Sequence, residues 1–208
     1  MSRRAVAGGS AVGFAAGWNI ADTGAIADEL SVAYGVGLGV VGLFTAVLFA
    51  SHMLMQLPAG RLSDRLGPTQ VCLAGVAVLI ACNALASIAP DTSLVLVART
   101  LMGVGTALSF IGGSDFVRAT GGSPFAQGLY GGLATAGGGV ALAVVPALEG
   151  SLSWRAPFMS AIAVALAAGL LLVIAPHPPH AARLAADRTP VLKLGRDQTG
   201  KLHAAGSH

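Results

Sequence analysis

Two oppositely charged side chains, Asp22 and Arg99, border long uncharged stretches of this sequence. A charge at membrane depth is costly, so its presence there indicates a functional site. If the stretches are membrane helices, each charge lies on the order of 10 Å from the outer end of its helix. We predict an ion pair that protonation of Asp22 would break. Two alternatives stay open: Arg99 bonds only backbone carbonyls, or the first helix ends before Asp22 and leaves it in a loop.

Three more polar residues fall within the apolar stretches. Asn19 precedes Asp22 by three residues, and His52 and Gln56 are four apart, so each pair shares one face of a helix. Histidine can titrate near neutral pH. We place Asn19, His52 and Gln56 in a predicted substrate or proton pathway. The commoner role for a lone histidine near a helix end is packing or hydrogen bonding.

Enzyme chemistry finds little support in the sequence. An intramembrane serine protease would need Ser109 or Ser114 opposite His52, and neither serine has a G-x-S-G-like context. Cys72 and Cys82, about ten residues apart on one helix, are too distant to pair with each other. The sequence contains no P-loop, C-x-x-C pair or metal-spaced cluster. We therefore predict a protein that is not an enzyme and has no cofactor and no metal site.

The composition is that of a membrane protein. Hydrophobic residues make up 54% of the chain, charged residues 10%, and the mean hydropathy is +0.75. Soluble domains carry roughly a quarter charged residues. A membrane helix needs about 20 apolar residues. We predict an all-α protein with a transmembrane domain over 1–176 and a polar, disordered cytoplasmic tail over 177–208. The six predicted helices lie near 6–28, 34–57, 69–89, 92–112, 126–148 and 154–175.

The basic residues alternate between the ends of these helices. Ten of the 12 lie in the N-terminus, the second and fourth connections and the tail: Arg3, Arg4, Arg61, Arg65, Arg118, Arg183, Arg188, Lys193, Arg196 and Lys201. Cytoplasmic segments collect Lys and Arg. We therefore predict a multi-pass protein of the cell (inner) membrane with both termini in the cytoplasm. The basic pI near 9.3 then reflects topology, and we predict no nucleic-acid partner.

The second connection reads GRLSDRLGPT, which predicts a cytoplasmic turn with Gly60 and Gly67 as its flexible points. It resembles the signature loop of the major facilitator superfamily, G-x-L-a-D-r-x-G-r-k. The matching residues are Gly60, Leu62, Asp64, Arg65 and Gly67, while Pro68 and Thr69 replace two basic residues. In that family the loop gates alternating access through a charge network. The resemblance assigns to this network Gly60, Arg61, Asp64, Arg65, Gly67, Asp115 and Arg118.

Two later segments extend the resemblance over about residues 10–175. LVLVARTLMGVGTA is similar to the family's second signature through Arg99, Gly103 and Gly105, with Met102 at the usual glutamine. The fifth predicted helix is glycine-rich, and close helix packing is expected at Gly103, Gly105, Gly137, Gly138 and Gly139.

The run from Gly137 to Val140 is also similar to the nitrate/nitrite porter branch of the family. There Gln56 takes the place of a substrate-binding arginine and Thr135 that of an asparagine. Anion selectivity of that kind is therefore not expected. Thr135 joins the predicted pathway.

The family has twelve helices in two halves, each half a 3+3 inverted repeat, with substrate between the halves. The resemblance implies that this chain is the N-terminal half, moving a small solute by alternating access that protons could drive. Its partners would be the lipid bilayer, a small-molecule substrate and a second half. That half could be a second copy, paired about a two-fold axis, or a separate chain. The third alternative is a truncated remnant, or an accessory or regulatory membrane protein without transport.

Overall fold

The structure is a computed structural model, and it describes residues 3–178. This part of the chain is helical, without strands. The α-helices, in chain order, are α1 Arg3–Ala21, α2 Ala27–Tyr34, α3 Leu38–Leu66, α4 Pro68–Ser87, α5 Thr92–Ala119, α6 Pro124–Leu152 and α7 Ala156–Val173. Two 3-10 turns, Thr23–Ile26 and Ser153–Arg155, precede α2 and α7. The predicted tail over 177–208 lies almost wholly outside the described residues.

Four helical stretches within the described residues are long and apolar enough to cross a membrane. Three are α3, α4 and α5, and the fourth, Pro124–Val173, contains both α6 and α7. Helix α1 falls short by composition, since nearly every third residue of RRAVAGGSAVGFAAGWNIA is glycine or charged. Residues 3–178 are thus all-helical and include helices that are long and apolar enough to span a membrane.

The first predicted helix, 6–28, is interrupted at Asp22. Helix α1 ends at Ala21, and the Asp22 carboxylate accepts a hydrogen bond from the Thr23 backbone N–H at 2.6 Å. Aspartate side chains that bond nearby N–H groups compete with helical hydrogen bonding, which favours a break here. The chain continues through a 3-10 turn into the short helix α2. Asp22 therefore lies at a helix break and is nonetheless wholly buried.

The predicted turn at GRLSDRLGPT is tighter than expected. Helix α3 runs past the predicted end at 57 to Leu66, so Gly60 lies inside the helix and has open space around it. The reversal occurs at Gly67, with φ 90° and ψ 151°, a region essentially restricted to glycine. Pro68 then starts α4, at the position where its missing N–H costs nothing. The prediction that a glycine allows the chain to turn is confirmed at Gly67. It is wrong at Gly60, which lies inside helix α3.

Helices α5 and α6 begin at residues whose side chains cap them. The Asp91 carboxylate accepts from Leu94 N at 3.0 Å and starts α5, and the Ser123 hydroxyl accepts from Ala126 N at 3.3 Å and starts α6. Helices α5 and α6 extend beyond the predicted ends at 112 and 148, whereas α4 and α7 end slightly inside theirs, at 87 and 173.

Close packing depends on glycines at the crossings. A Cβ at Gly103 would collide with Ser51 and the Leu48 carbonyl of α3, and one at Gly137 would collide with the Phe14 carbonyl of α1. Gly105 faces α4 and Gly138 faces Gly17 of α1. Gly139 has open space around it within the described residues, so its packing role stays a prediction.

The helix contacts repeat when the first three long helices are exchanged for the last three. This exchange pairs α1 with α5, α3 with α6 and α4 with α7. Under this exchange, the contact between α1 and α6 corresponds to the contact between α5 and α3. The contact between α4 and α5 corresponds to the contact between α7 and α1. All four of these helix pairs are in contact in the structure. Helices α3 and α6 are both 29 residues long, and each carries one proline in its second half, Pro58 and Pro146.

Candidate functional site

Asp22 and Arg99 form a buried ion pair. The distance between Arg99 Nη1 and Asp22 Oδ1 is 3.0 Å, and neither side chain has any exposed surface. Asp22 lies at the break after α1, and Arg99 lies in the second turn of α5. This geometry agrees with the predicted ion pair. It also agrees in part with the two alternatives: the first helix does end before Asp22, and Arg99 does bond a backbone carbonyl.

Arg99 links three elements. Its Nε donates to the Phe44 carbonyl of α3 at 3.2 Å, and its Nη1 also approaches Met102 Sδ at 3.6 Å. Met102 occupies the position at which the family signature usually has glutamine. One nitrogen, Arg99 Nη2, and one oxygen, Asp22 Oδ2, are buried without a hydrogen-bond partner among the described residues. Such buried polar atoms are uncommon in proteins, so this ion pair retains unused hydrogen-bonding capacity.

A second polar contact lies one helical turn before Asp22. Asn83 Nδ2 of α4 donates to Asn19 Oδ1 of α1 at 2.6 Å, and both side chains are buried. Each asparagine also donates to the carbonyl four residues earlier in its own helix. Asn83 Oδ1 has no partner in the described part of the chain. Three unsatisfied polar atoms, on Asp22, Arg99 and Asn83, thus belong to the helices α4 and α5 and the end of α1.

His52 of α3 contacts a different partner. Its Nδ1 lies 3.0 Å from Thr106 Oγ1 of α5, and the Thr106 hydroxyl donates to the Gly103 carbonyl at 2.9 Å. Since the threonine proton is used there, His52 Nδ1 is the donor, and its Nε2 carries the free lone pair. The His52 ring also packs edge-on against Phe110. These contacts agree with a packing and hydrogen-bonding role for His52. The Nε2 atom of the ring stays available to accept a hydrogen bond or a proton.

The remaining pathway residues lie apart from the ion pair. Gln56 and Thr135 are exposed on α3 and α6, and the Thr135 hydroxyl bonds the Gly131 carbonyl of its own helix at 3.1 Å. The structure therefore brings Asp22 and Arg99 together in the interior, and it buries Asn19 one helical turn before Asp22, in contact with Asn83. It leaves Gln56 and Thr135 on the surface of the chain.

The predicted gating network is only partly connected. Arg118 donates to Asp115 at 2.6 Å, across three residues at the end of α5. Arg61, Asp64 and Arg65 are exposed on the last turns of α3, and Asp64 makes no ion pair within residues 3–178. The ends of α3 and α5 pack together through a small apolar cluster that includes Leu62 and Ile111.

Sequence reasoning missed Asn83 and Thr106, which supply the partners of Asn19 and His52. The available signal was that each is a polar residue inside a charge-free helix, where such side chains hydrogen-bond between helices. Ser160, which accepts from Trp18 Nε1 at 3.3 Å, was missed for the same reason.

Comparison with known proteins relates this chain to a family of membrane transporters. The family model of the Major Facilitator Superfamily matches residues 6–202. The chromaffin granule amine transporter of Homo sapiens is 31% identical over 171 residues, covering 77% of this chain and 32% of that protein. The chain thus spans about a third of the length of this curated relative.

Proposed function

Since this chain belongs to the Major Facilitator Superfamily, we propose that it moves a small solute across a membrane by alternating access, with protons as the coupling ion. The observation that carries the proposal is the buried pair of Asp22 and Arg99 between membrane helices. A structural ion pair would satisfy its own hydrogen bonds. Here Asp22 Oδ2 and Arg99 Nη2 are buried without hydrogen-bond partners among residues 3–178.

Protonation gives the pair two states. With Asp22 ionised, the pair holds the end of α1 against α5, and Arg99 Nε holds α3 through the Phe44 carbonyl. With Asp22 protonated, the Coulomb attraction to Arg99 is lost, and a buried arginine without compensation is strongly destabilising. The helices then separate enough for Arg99 to find another acceptor. A proton at Asp22 is thereby linked to the relative position of three helices.

The repeated contacts support the proposed architecture. They fit a 3+3 inverted repeat of six membrane-spanning helices, with α1 and α2 together forming the first crossing, and the basic residues favour both termini in the cytoplasm of a cell (inner) membrane. The exposed Gln56 and Thr135 would face the substrate pathway, and Arg61, Asp64, Arg65, Asp115 and Arg118 would gate its inner end.

In this proposal the substrate pathway lies between these helices and a second six-helix half, for which another copy of this chain and a separate chain are the two candidates. The opposing candidate is a remnant or an accessory membrane protein without transport. That relative is named as an amine transporter, so small organic amines are the first solutes to test.

The test is uptake by the purified full chain in proteoliposomes with an imposed pH gradient, using a panel of radiolabelled primary amines. We expect uptake that depends on the gradient. Asp22→Asn should abolish that dependence, since asparagine cannot take up the proton. Asp91→Asn is the matched control, because asparagine caps a helix as well as aspartate does.

Unchanged pH dependence in a folded Asp22→Asn protein would refute proton coupling at this residue. If the wild-type chain moves none of the amines, solutes of other classes are added to the same liposomes. Proton movement across the liposome membrane in response to a solute would then identify it as a substrate. If the folded chain moves no solute of any class tested, that result favours the remnant or accessory protein.

A further inference from the structure

A groove bounded by α1, α6 and α7 lies away from the ion pair. Its cavity volume is about 720 Å³, within the range of small-molecule sites. The lining is almost entirely apolar and includes Val6, Phe14, Leu129, Leu133, Val164 and Leu171. None of these residues belongs to the predicted substrate pathway.

The groove has the length of one membrane leaflet. From Arg3 to Phe14 it follows eleven residues of α1, or about 16 Å. Half of a hydrocarbon layer of about 30 Å is about 15 Å. At the Arg3 end the lining also includes Phe125 at the start of α6 and Leu171 near the end of α7. These ends lie on the side assigned to the cytoplasm.

Two polar groups stand at defined places in this apolar lining. Arg3 is exposed and lies at the mouth, whereas its neighbour Arg4 is exposed but outside the lining. Ser10, further in, is 2% exposed, and its hydroxyl has no partner among the described residues. The groove is therefore basic at one end and apolar at the other, with one unused hydrogen-bond donor between them.

We propose that this groove binds one anionic phospholipid of the cytoplasmic leaflet. The acyl chain lies along α1, α6 and α7, and the phosphate contacts the Arg3 guanidinium at the mouth of the groove. The charge of Arg3 favours an anionic headgroup over a zwitterionic one, and the depth matches an acyl chain. The proposal rests on the cytoplasmic position of the N-terminus and is independent of transport.

The test is native mass spectrometry of the full chain, delipidated in detergent and titrated separately with phosphatidylglycerol and phosphatidylcholine. We expect one tightly retained phosphatidylglycerol per chain and weaker retention of phosphatidylcholine. Arg3→Gln should weaken phosphatidylglycerol binding about fivefold, the effect of one basic residue near an anionic headgroup. Arg4→Gln, the matched control, should leave it unchanged.

A second pair of variants tests the groove itself. Ala167 of α7 is exposed and lines the groove, so Ala167→Phe should fill it and abolish retention of the bound lipid. Ala163, one turn earlier and exposed, is outside the lining, and Ala163→Phe should retain it. Equal retention of the two lipids, equal effects of Arg3→Gln and Arg4→Gln, or lipid retained by Ala167→Phe would each overturn the proposal. So would a co-purifying polypeptide that excludes the lipid.

Discussion

At the residue scale, the ion pair of Asp22 and Arg99 should affect folding and transport differently. Removing one partner of a buried pair typically costs about 3–5 kcal/mol, because the other charge stays buried and uncompensated. Replacing both by apolar residues of similar volume is often neutral. We therefore expect Asp22→Leu to lower the thermal unfolding midpoint strongly, and the double variant Asp22→Leu/Arg99→Met to recover most of the loss.

Unfolding can be followed in detergent by the fluorescence of Trp18 and Trp154. Transport should be absent from both variants, even where stability returns. A double variant less stable than Asp22→Leu would show that Arg99 acts mainly through the Phe44 carbonyl of α3. A double variant that still transports with wild-type pH dependence would separate the pair from the mechanism.

The cost of a buried charge made this pair predictable from the sequence. Asp22 and Arg99 stood out because almost nothing near them is charged. Asn83 and Thr106 did not stand out, because uncharged polar side chains can bond their own helix and often do. Asn83 bonds the Leu79 carbonyl as well as Asn19, and only the second bond depends on which helices are neighbours.

At the element scale, the two glycines of the signature loop should respond differently to alanine. Gly67 has φ 90° and ψ 151°, a conformation that costs other residues of order 1–3 kcal/mol. Gly60 lies in a helix with open space around its Cα, where alanine gains up to about 1 kcal/mol in helix propensity. We expect Gly67→Ala to lower the unfolding midpoint and Gly60→Ala to maintain or raise it. Equal midpoints for the two variants would contradict the position of the reversal.

Two glycines of α6 provide a second matched comparison. A Cβ at Gly137 would collide with the Phe14 carbonyl, whereas a Cβ at Gly139 meets nothing within 4 Å. Gly137→Ala should therefore separate α1 from α6 and reduce the yield of folded, monodisperse protein in size-exclusion chromatography. Gly139→Ala should elute like the wild type. If both variants elute like the wild type, the α1–α6 crossing is looser than the structure describes.

The ends of the helices were the least predictable elements. The sequence indicates where apolar residues stop, but a membrane helix can continue into water when its next residues tolerate helical geometry. Helix α3 continues through Arg61, Asp64 and Arg65 to Leu66 for this reason. The break at Asp22 has the opposite cause: a carboxylate that bonds the next N–H ends a helix within the apolar region.

At the scale of the whole molecule, the repeated contacts constrain how a second half could be added. Helices α3 and α6 are related by the exchange of the two three-helix groups, and they carry the exposed Gln56 and Thr135. A substrate pathway between two halves requires the face with these residues to meet the partner. A second copy related by a two-fold axis along the membrane normal would present the same face, and closed two-fold dimers are the commonest oligomers.

We therefore expect the purified chain to form a dimer of twice 20.6 kDa, measured by light scattering in detergent over a concentration series and corrected for bound detergent. Gln56→Trp should shift the mass toward the monomer, because a bulky side chain on the pairing face prevents close approach. Leu170→Trp is the matched control: Leu170 is exposed on α7, away from the pairing face, and the dimer should persist. A monomer at every concentration would refute self-pairing and direct the search to a second six-helix chain, and a dimer that dissociates equally in both variants would place the contact elsewhere.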